Sequence, residues 1–315
     1  MNAGRTPPQW LSLGAYNVGL QGGLVIVSAR ARSQSLVVDV DRRVVYGAAD
    51  GLEIVSETPR ASVTLVVPAL NEAENIGWVL ERVPSVVDEV ILVDGDSVDD
   101  TVEVARRSRP DIRVVRQRGR GKGCAVRTGF QVARGDYIVM IDADGSMDPE
   151  EIPSFVDALD LGYQFVKGSR HVAGGGSEDL TRVRELGNRA LVSCVNLAFL
   201  VSLTDLCYGY IALRRDIVPQ LSLTSRGFEI ETELVLRAVK TRLSIAEVPS
   251  IELPRRHGES NLNAFRDGKR VLRRLIRERL VREPRAVVDV LPAQPARPQP
   301  MPTTAAEPTP LRIPV

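Results

Sequence analysis

The sequence predicts an α/β fold, a Rossmann-like and mostly parallel sheet with helices on both faces. Short apolar runs alternate with segments of helical periodicity between residues 62 and 251, a pattern typical of parallel strands joined by helices. Three of these runs end in polar loops, Pro68–Asn75, Asp94–Asp100 and Asp142–Asp148. Because ligands bind at the carboxyl ends of strands in such sheets, the loops are candidates for a binding site.

The strands are predicted from short apolar runs. These runs are Ser62–Val67, Asp88–Val93, Ile112–Val115, Tyr137–Ile141, Phe165–Gly168, Tyr208–Leu213 and Ile245–Ile251. Helices are predicted between them, where apolar residues recur every three or four positions. Ser97 and Asp100 predict a capping box for the helix that runs through Arg107. Asp148-Pro149 predicts another helix start, because Asp caps a helix and Pro is tolerated in its first turn.

Three regions differ in composition. Residues 1–60, with Pro7-Pro8 and scattered glycines, predict an extension of weak order in which 36–46 forms a hairpin. Residues 61–283 carry the regular pattern of the α/β domain. Residues 284–315 are rich in proline and lack periodicity, so we expect a disordered tail.

The overall composition excludes several classes of protein. The 315 residues carry a net charge of +1, which gives no global electrostatic attraction to nucleic acid. Cys124, Cys194 and Cys207 have no metal-binding spacing, so neither a zinc site nor a disulfide framework is expected. The sequence shows no apolar run long enough to span a membrane and no signal peptide, so we expect a cytoplasmic protein.

Asp142-Ala-Asp144 directly follows an apolar strand, and alternation places both carboxylates on one side of the chain. Two such carboxylates repel each other unless a cation lies between them. Mg²⁺ or Mn²⁺ bound by these acids and by substrate phosphates would relieve this repulsion. A solvated turn with two chance acids is the alternative.

Two further loops carry candidate ligand-binding residues. Asp94 and Asp96 follow another strand, where Asp94 could hold a base or a ribose hydroxyl. The loop 119–123 contains three glycines, Arg120 and Lys122 before a helix, and such a start favours anions. Its spacing is not that of a P-loop. The alternative for the Asp94 loop is a turn that caps a helix, and the alternative for the loop 119–123 is a basic turn without a ligand.

A series of motifs resembles family 2 glycosyltransferases of the GT-A type, most closely the dolichyl- and polyprenyl-phosphate sugar synthases. The motifs are Pro68-Ala-Leu-Asn-Glu72, Val93-Asp-Gly-Asp-Ser-Val-Asp-Asp-Thr101, Gly121-Lys-Gly123, Asp142-Ala-Asp-Gly-Ser-Met-Asp-Pro149 and Gly168-Ser-Arg170. The resemblance covers residues 62–279. It implies a GT-A domain over 61–283 that binds a nucleotide-diphosphate sugar.

The resemblance also implies roles for individual residues. The nucleotide would contact Pro68, Leu70, Glu72, Asp94, Asp96 and Lys122, while Asp142 and Asp144 would hold the diphosphate and the metal. The acceptor phosphate would face Arg170, with Arg184, Asn188, Arg256 and Ser260 near it. Glu229 and Glu231, two apart at a helix start, cannot share a face, and we assign Glu231 to catalysis with Asp144 and Arg170.

These features predict an inverting transferase that moves a hexose from a UDP- or GDP-sugar to a polyprenyl phosphate. The basic helix 264–282 is compatible with a peripheral site on the anionic inner face of the cell membrane, or with a solvated helix packed on the domain. Alternatives are a glycosyltransferase with a soluble acceptor such as a sugar phosphate or phosphoglycerate, a sugar-nucleotide pyrophosphorylase, and a non-catalytic binding protein.

Overall fold

Six antiparallel strands form the N-terminal sheet in the computed structural model. The structure describes these strands together with residues 60–258 and 264–280, and it describes side chains for 60–258 and 268–280. The strands are β1 (Gln9–Leu13), β2 (Tyr16–Gln21), β3 (Leu24–Ala29), β4 (Ser35–Asp39), β5 (Arg43–Ala48) and β6 (Gly51–Glu57). They pair in sequence order. The hairpin predicted for 36–46 is confirmed by the pairing of β4 with β5, whereas β1–β3 and β6 were not predicted.

A second, seven-stranded sheet lies within the α/β region. Its strands are β7 (Val63–Ala69), β8 (Glu89–Asp94), β9 (Arg113–Arg116), β10 (Tyr137–Met140), β11 (Phe165–Ser169), β13 (Ile211–Arg214) and β14 (Ile245–Pro249). Their order is β14-β11-β13-β10-β7-β8-β9. Only β13 runs antiparallel to its neighbours in this described sheet. Two short strands, β12 (Gly176–Ser177) and β15 (Ile251–Glu252), pair separately. The predicted, mostly parallel sheet is confirmed.

The helices connect these strands as the sequence predicts. They are α1 (Ala73–Glu81), α2 (Thr101–Ser108), α3 (Lys122–Val132), α4 (Ile152–Asp160), α5 (Arg182–Phe199), α6 (Val218–Leu221), α7 (Ile230–Lys240) and α8 (Ala264–Leu280). The Asp148 cap is confirmed at the short 3₁₀ helix Pro149–Glu151 that precedes α4, since its carboxylate accepts the Glu150 N–H at 3.0 Å. The capping box at α2 is wrong. Ser97 Oγ accepts the Asn71 N–H instead, and Asp100 makes no side-chain capping bond.

The sheet separates two apolar cores, as alternation along β7 requires. Leu65 and Val67 pack on one face with residues of α1 and α4, whereas Val66 packs on the other with residues of α3, α5, α7 and α8. Helices therefore cover both faces, as predicted. Because β7, β8 and β10 are parallel neighbours, their carboxyl ends bring the three polar loops to one edge.

Candidate active site

A cleft of about 320 Å³ opens at the carboxyl ends of β7 and β10. Eight residues predicted for the site line it. They are Pro68, Leu70, Glu72, Lys122, Asp142, Asp144, Arg184 and Glu231. The loops that follow β7 and β10 and the start of α3 therefore meet at one cleft.

Close backbone packing places Lys122 at the start of α3. Gly121 has φ of +96°, in the left-handed region that favours glycine. A Cβ atom at Gly121 would lie 2.4 Å from the carbonyl oxygen of Arg226, and one at Gly123 would lie 2.4 Å from that of Ser225. The Gly123 N–H also donates to Arg226 at 2.9 Å. The glycines let this loop press against 225–226, which fixes the direction of Lys122.

The Lys122 ammonium bridges two carboxylates in the cleft. Its Nζ lies 2.6 Å from Asp142 Oδ1 and 2.5 Å from Glu231 Oε1. Burial alone would lower the pKa of Lys122, but the two carboxylates hold that pKa well above its ordinary value. Burial raises the pKa of Asp142 to about 6, and the negative charges of Asp144 and Glu231 add to this rise against the opposing effect of Lys122. The ammonium is therefore charged at neutral pH.

Asp144 belongs to a second charged group in the cleft. Its Oδ1 accepts hydrogen bonds from the Ser146 N–H at 3.0 Å and the Ser146 hydroxyl at 2.7 Å. Its Oδ2 lies 3.2 Å from Arg255 Nη1. Arg255 Nη2 is also 2.6 Å from both carboxylate oxygens of Glu72. Arg255 therefore joins the acids that follow two different strands.

The donor set fits a hard divalent cation. In these two groups, four described carboxylates (Glu72, Asp142, Asp144 and Glu231) face two cations, Lys122 and Arg255. The surplus of negative charge favours a further cation, and carboxylate oxygens are the ligands that Mg²⁺ and Mn²⁺ prefer. Within the described residues no cluster of three or more His, Cys, Asp or Glu side chains forms a metal site by itself. The residues thus fit a metal held by one or two carboxylates and completed by substrate phosphates.

A second cavity of about 260 Å³, mostly apolar, adjoins the cleft between α5, α7 and α8. Arg184, Cys207, Phe228 and Glu231 line both spaces. The Arg184 guanidinium lies 3.2 Å from Asp179 and 3.9 Å from Glu252, and its side chain is partly exposed. Arg184 is therefore a cation at the junction of a charged cleft and an apolar cavity.

Two predicted acceptor residues border this cavity but are tied to other groups. The Arg170 guanidinium, 3% exposed, donates to Asp205 at 2.7 and 2.9 Å and to Glu252 at 3.0 Å. Asn188 donates to Asp205 at 3.1 Å and accepts the N–H groups of Leu206 and Cys207. Both side chains thus pair with a buried carboxylate and a loop backbone while lining the cavity, and their role towards an acceptor stays a prediction.

Other predicted residues lie outside the cleft or outside the described part of the chain. Asp94 accepts the Ser97 N–H at 3.2 Å, and Asp96 pairs with Arg116 at 2.5 Å. Neither carboxylate is among the described groups that line the cleft, and their role as nucleotide ligands stays a prediction. Arg256 stacks on the Trp78 ring with Cζ 4.6 Å from its centroid, and its role towards an acceptor stays a prediction. Ser260 lies outside the described residues.

Several residues of the site were missed by sequence reasoning. Arg255 contacts both Glu72 and Asp144, although the adjacent Arg256 was selected from the same basic loop. A pair of arginines offers no sequence signal that says which one turns inward. Phe228 lies under Lys122, with Nζ 5.6 Å from the ring centroid, and no periodicity identifies it. Asp205, the partner of Arg170, comes from a loop without a recognisable motif.

The sheet topology, the acidic strand exits and the lysine of α3 define a GT-A nucleotide-sugar transferase. Residues 64–221 match the sequence profile of glycosyl transferase family 2. The chain belongs to this family, and it is a glycosyltransferase.

Relatives support the same assignment. The chain is 32% identical over 209 residues to a dolichol-phosphate mannosyltransferase of Pyrococcus furiosus, covering 64% of this chain and 59% of that relative's length. It is 30% identical over 230 residues to a polyprenol monophosphomannose synthase of Mycolicibacterium smegmatis, covering 69% of this chain and 86% of the relative.

A solved structure is also similar. It is the glucosyl-3-phosphoglycerate synthase of Mycobacterium tuberculosis in complex with Mn²⁺, UDP and glucosyl-3-phosphoglycerate, with a TM-score of 0.57 and 27% identity. The similarity covers 71% of this chain and 81% of that chain.

Proposed function

We propose that this protein is a metal-dependent, inverting hexosyltransferase that uses a nucleotide-diphosphate sugar and a polyprenyl phosphate. The observation that carries the proposal is the junction of the two spaces, where Arg184 lines both the acidic cleft and the apolar cavity. The acidic cleft suits a diphosphate and its cation. A cation at the mouth of an apolar cavity suits an acceptor with a charged phosphate head and a hydrocarbon tail.

In this proposal, Asp142 and Asp144 would hold Mg²⁺ or Mn²⁺, which would supply charge stabilisation for the diphosphate leaving group. Lys122 lies beside Asp142, so its ammonium reaches the same leaving group. Glu231 holds Lys122 at 2.5 Å and keeps it charged and oriented. Its role is therefore to position the lysine.

The acceptor phosphate is ionised at neutral pH, so its oxygen needs no strong general base. That oxygen attacks the anomeric carbon, the bond from this carbon to the diphosphate oxygen breaks, and the nucleotide diphosphate leaves. The configuration inverts in this single displacement. Arg184 would orient the acceptor phosphate, while Arg170 and Asn188 hold the loop 205–207 behind it.

An anionic membrane surface is part of the proposal. Within the described residues, no helix has the length and hydropathy of a membrane span. The adjacent helices α5 and α8, together with the residue that follows α5, do expose large apolar side chains, which are Val183, Leu186, Leu197, Leu200, Leu272, Ile276 and Leu280. On α8 these alternate with Arg273 and Arg277, as in helices that lie on anionic lipid. This surface supports the proposed peripheral site on the inner face of the membrane.

A soluble phosphate acceptor is the second candidate. The similarity to glucosyl-3-phosphoglycerate synthase favours it, because that structure contains bound glucosyl-3-phosphoglycerate. The apolar cavity beside Arg184 favours the lipid acceptor instead, since phosphoglycerate has no hydrocarbon chain to fill it. Family membership favours transfer over the pyrophosphorylase and non-catalytic alternatives.

The test is sugar transfer from UDP-glucose and GDP-mannose, with Mn²⁺, to a short polyprenyl phosphate and separately to 3-phosphoglycerate. We expect product with the lipid phosphate only, and loss of at least 100-fold in Asp142→Asn and Asp144→Asn. Transfer to 3-phosphoglycerate alone would replace the lipid acceptor with the soluble one. Full activity of either variant with the divalent ions chelated would remove the metal from the mechanism.

A further inference from the structure

We infer that Arg274 of α8 and Glu233 of α7 are positioning residues for Lys122, which they hold in the cleft through the loop 224–226. The inference rests on the proposed function in one respect, the contact of Lys122 with the diphosphate leaving group. Neither residue is among the described residues that line the cleft or the apolar cavity. Both are buried, Glu233 completely and Arg274 with 6% of its surface exposed.

Glu233 anchors the backbone of the loop 224–226. Its Oε1 accepts the Thr224 N–H at 2.8 Å and the Thr224 hydroxyl at 3.0 Å. Its Oε2 accepts the Ser225 N–H at 2.6 Å. Hydrogen bonds to a charged acceptor are stronger than those between neutral groups. One carboxylate therefore fixes two successive residues of the loop.

Arg274 completes this anchor from the neighbouring helix. Its Nη2 donates to Glu233 Oε1, and also to Glu278 Oε1 at 2.5 Å. Its Nη1 donates to the Thr224 hydroxyl at 2.8 Å. Burial of a carboxylate is costly unless a cation pairs with it. The guanidinium thus keeps Glu233 charged inside the protein, with both oxygens directed to the loop.

The loop in turn packs against the residues on either side of Lys122. The Gly123 N–H donates to the backbone oxygen of Arg226 at 2.9 Å. The backbone oxygens of Arg226 and Ser225 come so close to Gly121 and Gly123 that a Cβ atom at either glycine would lie 2.4 Å from one of them. A displacement of the loop 224–226 is therefore passed directly to the start of α3.

Helix α7 consequently holds both ends of the lysine. Glu231 pairs with its ammonium at 2.5 Å, and Glu233 holds the loop that packs on its backbone. Residues two positions apart point to different sides of a helix, so one acid faces the cleft while the other faces the loop. Because a misplacement of about 1 Å can lower a reaction rate roughly 100-fold, the second contact matters for the leaving group.

The first measurement is hydrogen exchange of the ligand-free full chain, followed at the amides of residues 121–126. In Arg274→Met the Gly123 amide loses its fixed acceptor, so we expect exchange about tenfold faster than in the wild type. Thr224→Val removes only the hydroxyl between Arg274 and Glu233 and keeps the buried charges, so its fold is preserved. We expect exchange about threefold faster in this variant.

The control for overall stability is Leu159→Ala. Leu159 is buried in α4 and belongs to the apolar core on the other face of the sheet from α3, α7 and α8. Its truncation leaves a cavity and lowers the stability of the whole domain. We expect exchange at 121–126 to stay within about twofold of the wild type in this variant, because the anchor of the loop is intact.

The second measurement is the affinity for UDP or GDP with Mn²⁺, in a double-mutant cycle of Arg274→Met with Lys122→Met. We expect Arg274→Met to weaken binding about tenfold when Lys122 is present, and by less than about twofold when the lysine has been replaced. A merely structural role of Arg274 would weaken binding by the same factor in both backgrounds. Arg274→Lys keeps the charge beside Glu233 and should stay within about threefold of the wild type.

The inference is overturned if Arg274→Met and Thr224→Val both leave exchange at 121–126 unchanged. It is also overturned if Arg274→Met weakens nucleotide binding equally with and without Lys122. Neither measurement uses an acceptor. Absence of sugar transfer, with these effects present, would count against the proposed acceptor and would leave the roles of Arg274 and Glu233 as inferred.

Discussion

At the scale of single residues, the buried ion pair between Asp205 and Arg170 has a structural role behind the site. Asp205 is fully buried and binds Arg170 through both oxygens. Burial alone would raise the pKa of Asp205, but Lys167 and Arg170 lower it by more, so the net pKa lies well below its usual range. This pair fixes the loop 205–207, whose Cys207 lines the apolar cavity.

We predict that Asp205→Asn lowers the free energy of unfolding by about 3–5 kcal/mol at pH 7, since the buried Arg170 guanidinium loses the carboxylate that accepts two of its hydrogen bonds and keeps only Glu252 as a charged partner. Because the folded pKa of Asp205 is lowered, its stabilisation is present above its unfolded pKa of about 4 and is lost as the pH falls further. Urea unfolding at pH 7 and pH 3 checks this. The control Asp216→Asn, in an exposed pair with Arg214, should cost less than about 1 kcal/mol. A cost for Asp205→Asn that stays the same at both pH values would contradict the prediction.

At the scale of elements, α5 and α8 shape the apolar cavity with helix-compatible glycines. Gly187 on α5 and Gly268 on α8 both line it, and a Cβ atom at either position would meet no atom within 4 Å. On its inner side α8 is held by Glu278, which is buried and pairs with Arg237 and Lys240 of α7 at 2.9 and 2.7 Å. The helix that walls the cavity is thus fixed by charge as well as by Val271 and Leu275.

We predict that Gly187→Leu and Gly268→Leu lower transfer to polyprenyl phosphate at least tenfold, because the new side chains have room to enter the cavity that we assign to the lipid. Both substitutions replace glycine in a helix with a better helix former, so stability should not fall. The assay uses detergent-dispersed acceptor, together with nucleotide binding in the presence of Mn²⁺.

The matched control is Ala190→Leu, which adds bulk to α5 at an exposed position that is not one of the described cavity-lining residues. It should leave transfer within about twofold, and all three variants should bind nucleotide normally. Equal transfer by the glycine variants and the wild type would show that the lipid chain lies elsewhere.

At the scale of the whole molecule, apolar and basic exposed groups gather on the same pair of helices that borders the cavity. Leu197, near the end of α5, and Leu200, directly after it, are 80% and 89% exposed. Leu200 also has φ of +57°, a conformation that large side chains rarely adopt. A surface that exposes such leucines beside an arginine-rich helix is suited to the boundary of an anionic bilayer.

We predict that the protein floats with vesicles that contain anionic lipid, and that Leu197→Ser with Leu200→Asn lowers this binding at least tenfold. Burial of each leucine contributes about 1.5–3 kcal/mol, so the loss of two exceeds a factor of ten. Leu161→Ser provides the control, since Leu161 is 81% exposed at the end of α4. Equal loss with Leu161→Ser, or no vesicle binding by the wild type, would contradict a membrane role for α5 and α8.

The amino-acid sequence by itself determined the alternating strands and helices, the acidic exits of β7 and β10, and the lysine at the start of α3. These depend on local periodicity and on short motifs, which act within a few residues of one another. The N-terminal strands other than the hairpin were missed, because short runs there lack a clear alternation. The weak order of 1–60 and the character of the tail stay predictions.

Only the tertiary structure decided which polar side chains meet. Arg255 is 111 residues from Asp144 and 183 from Glu72 in the chain, and Asp205 is 35 residues from Arg170. Because these pairings depend on how distant loops pack across a sheet edge, no local pattern can indicate them. The same packing turned Arg170 and Asn188 towards Asp205, and it brought Arg184 to the junction of the charged cleft and the apolar cavity.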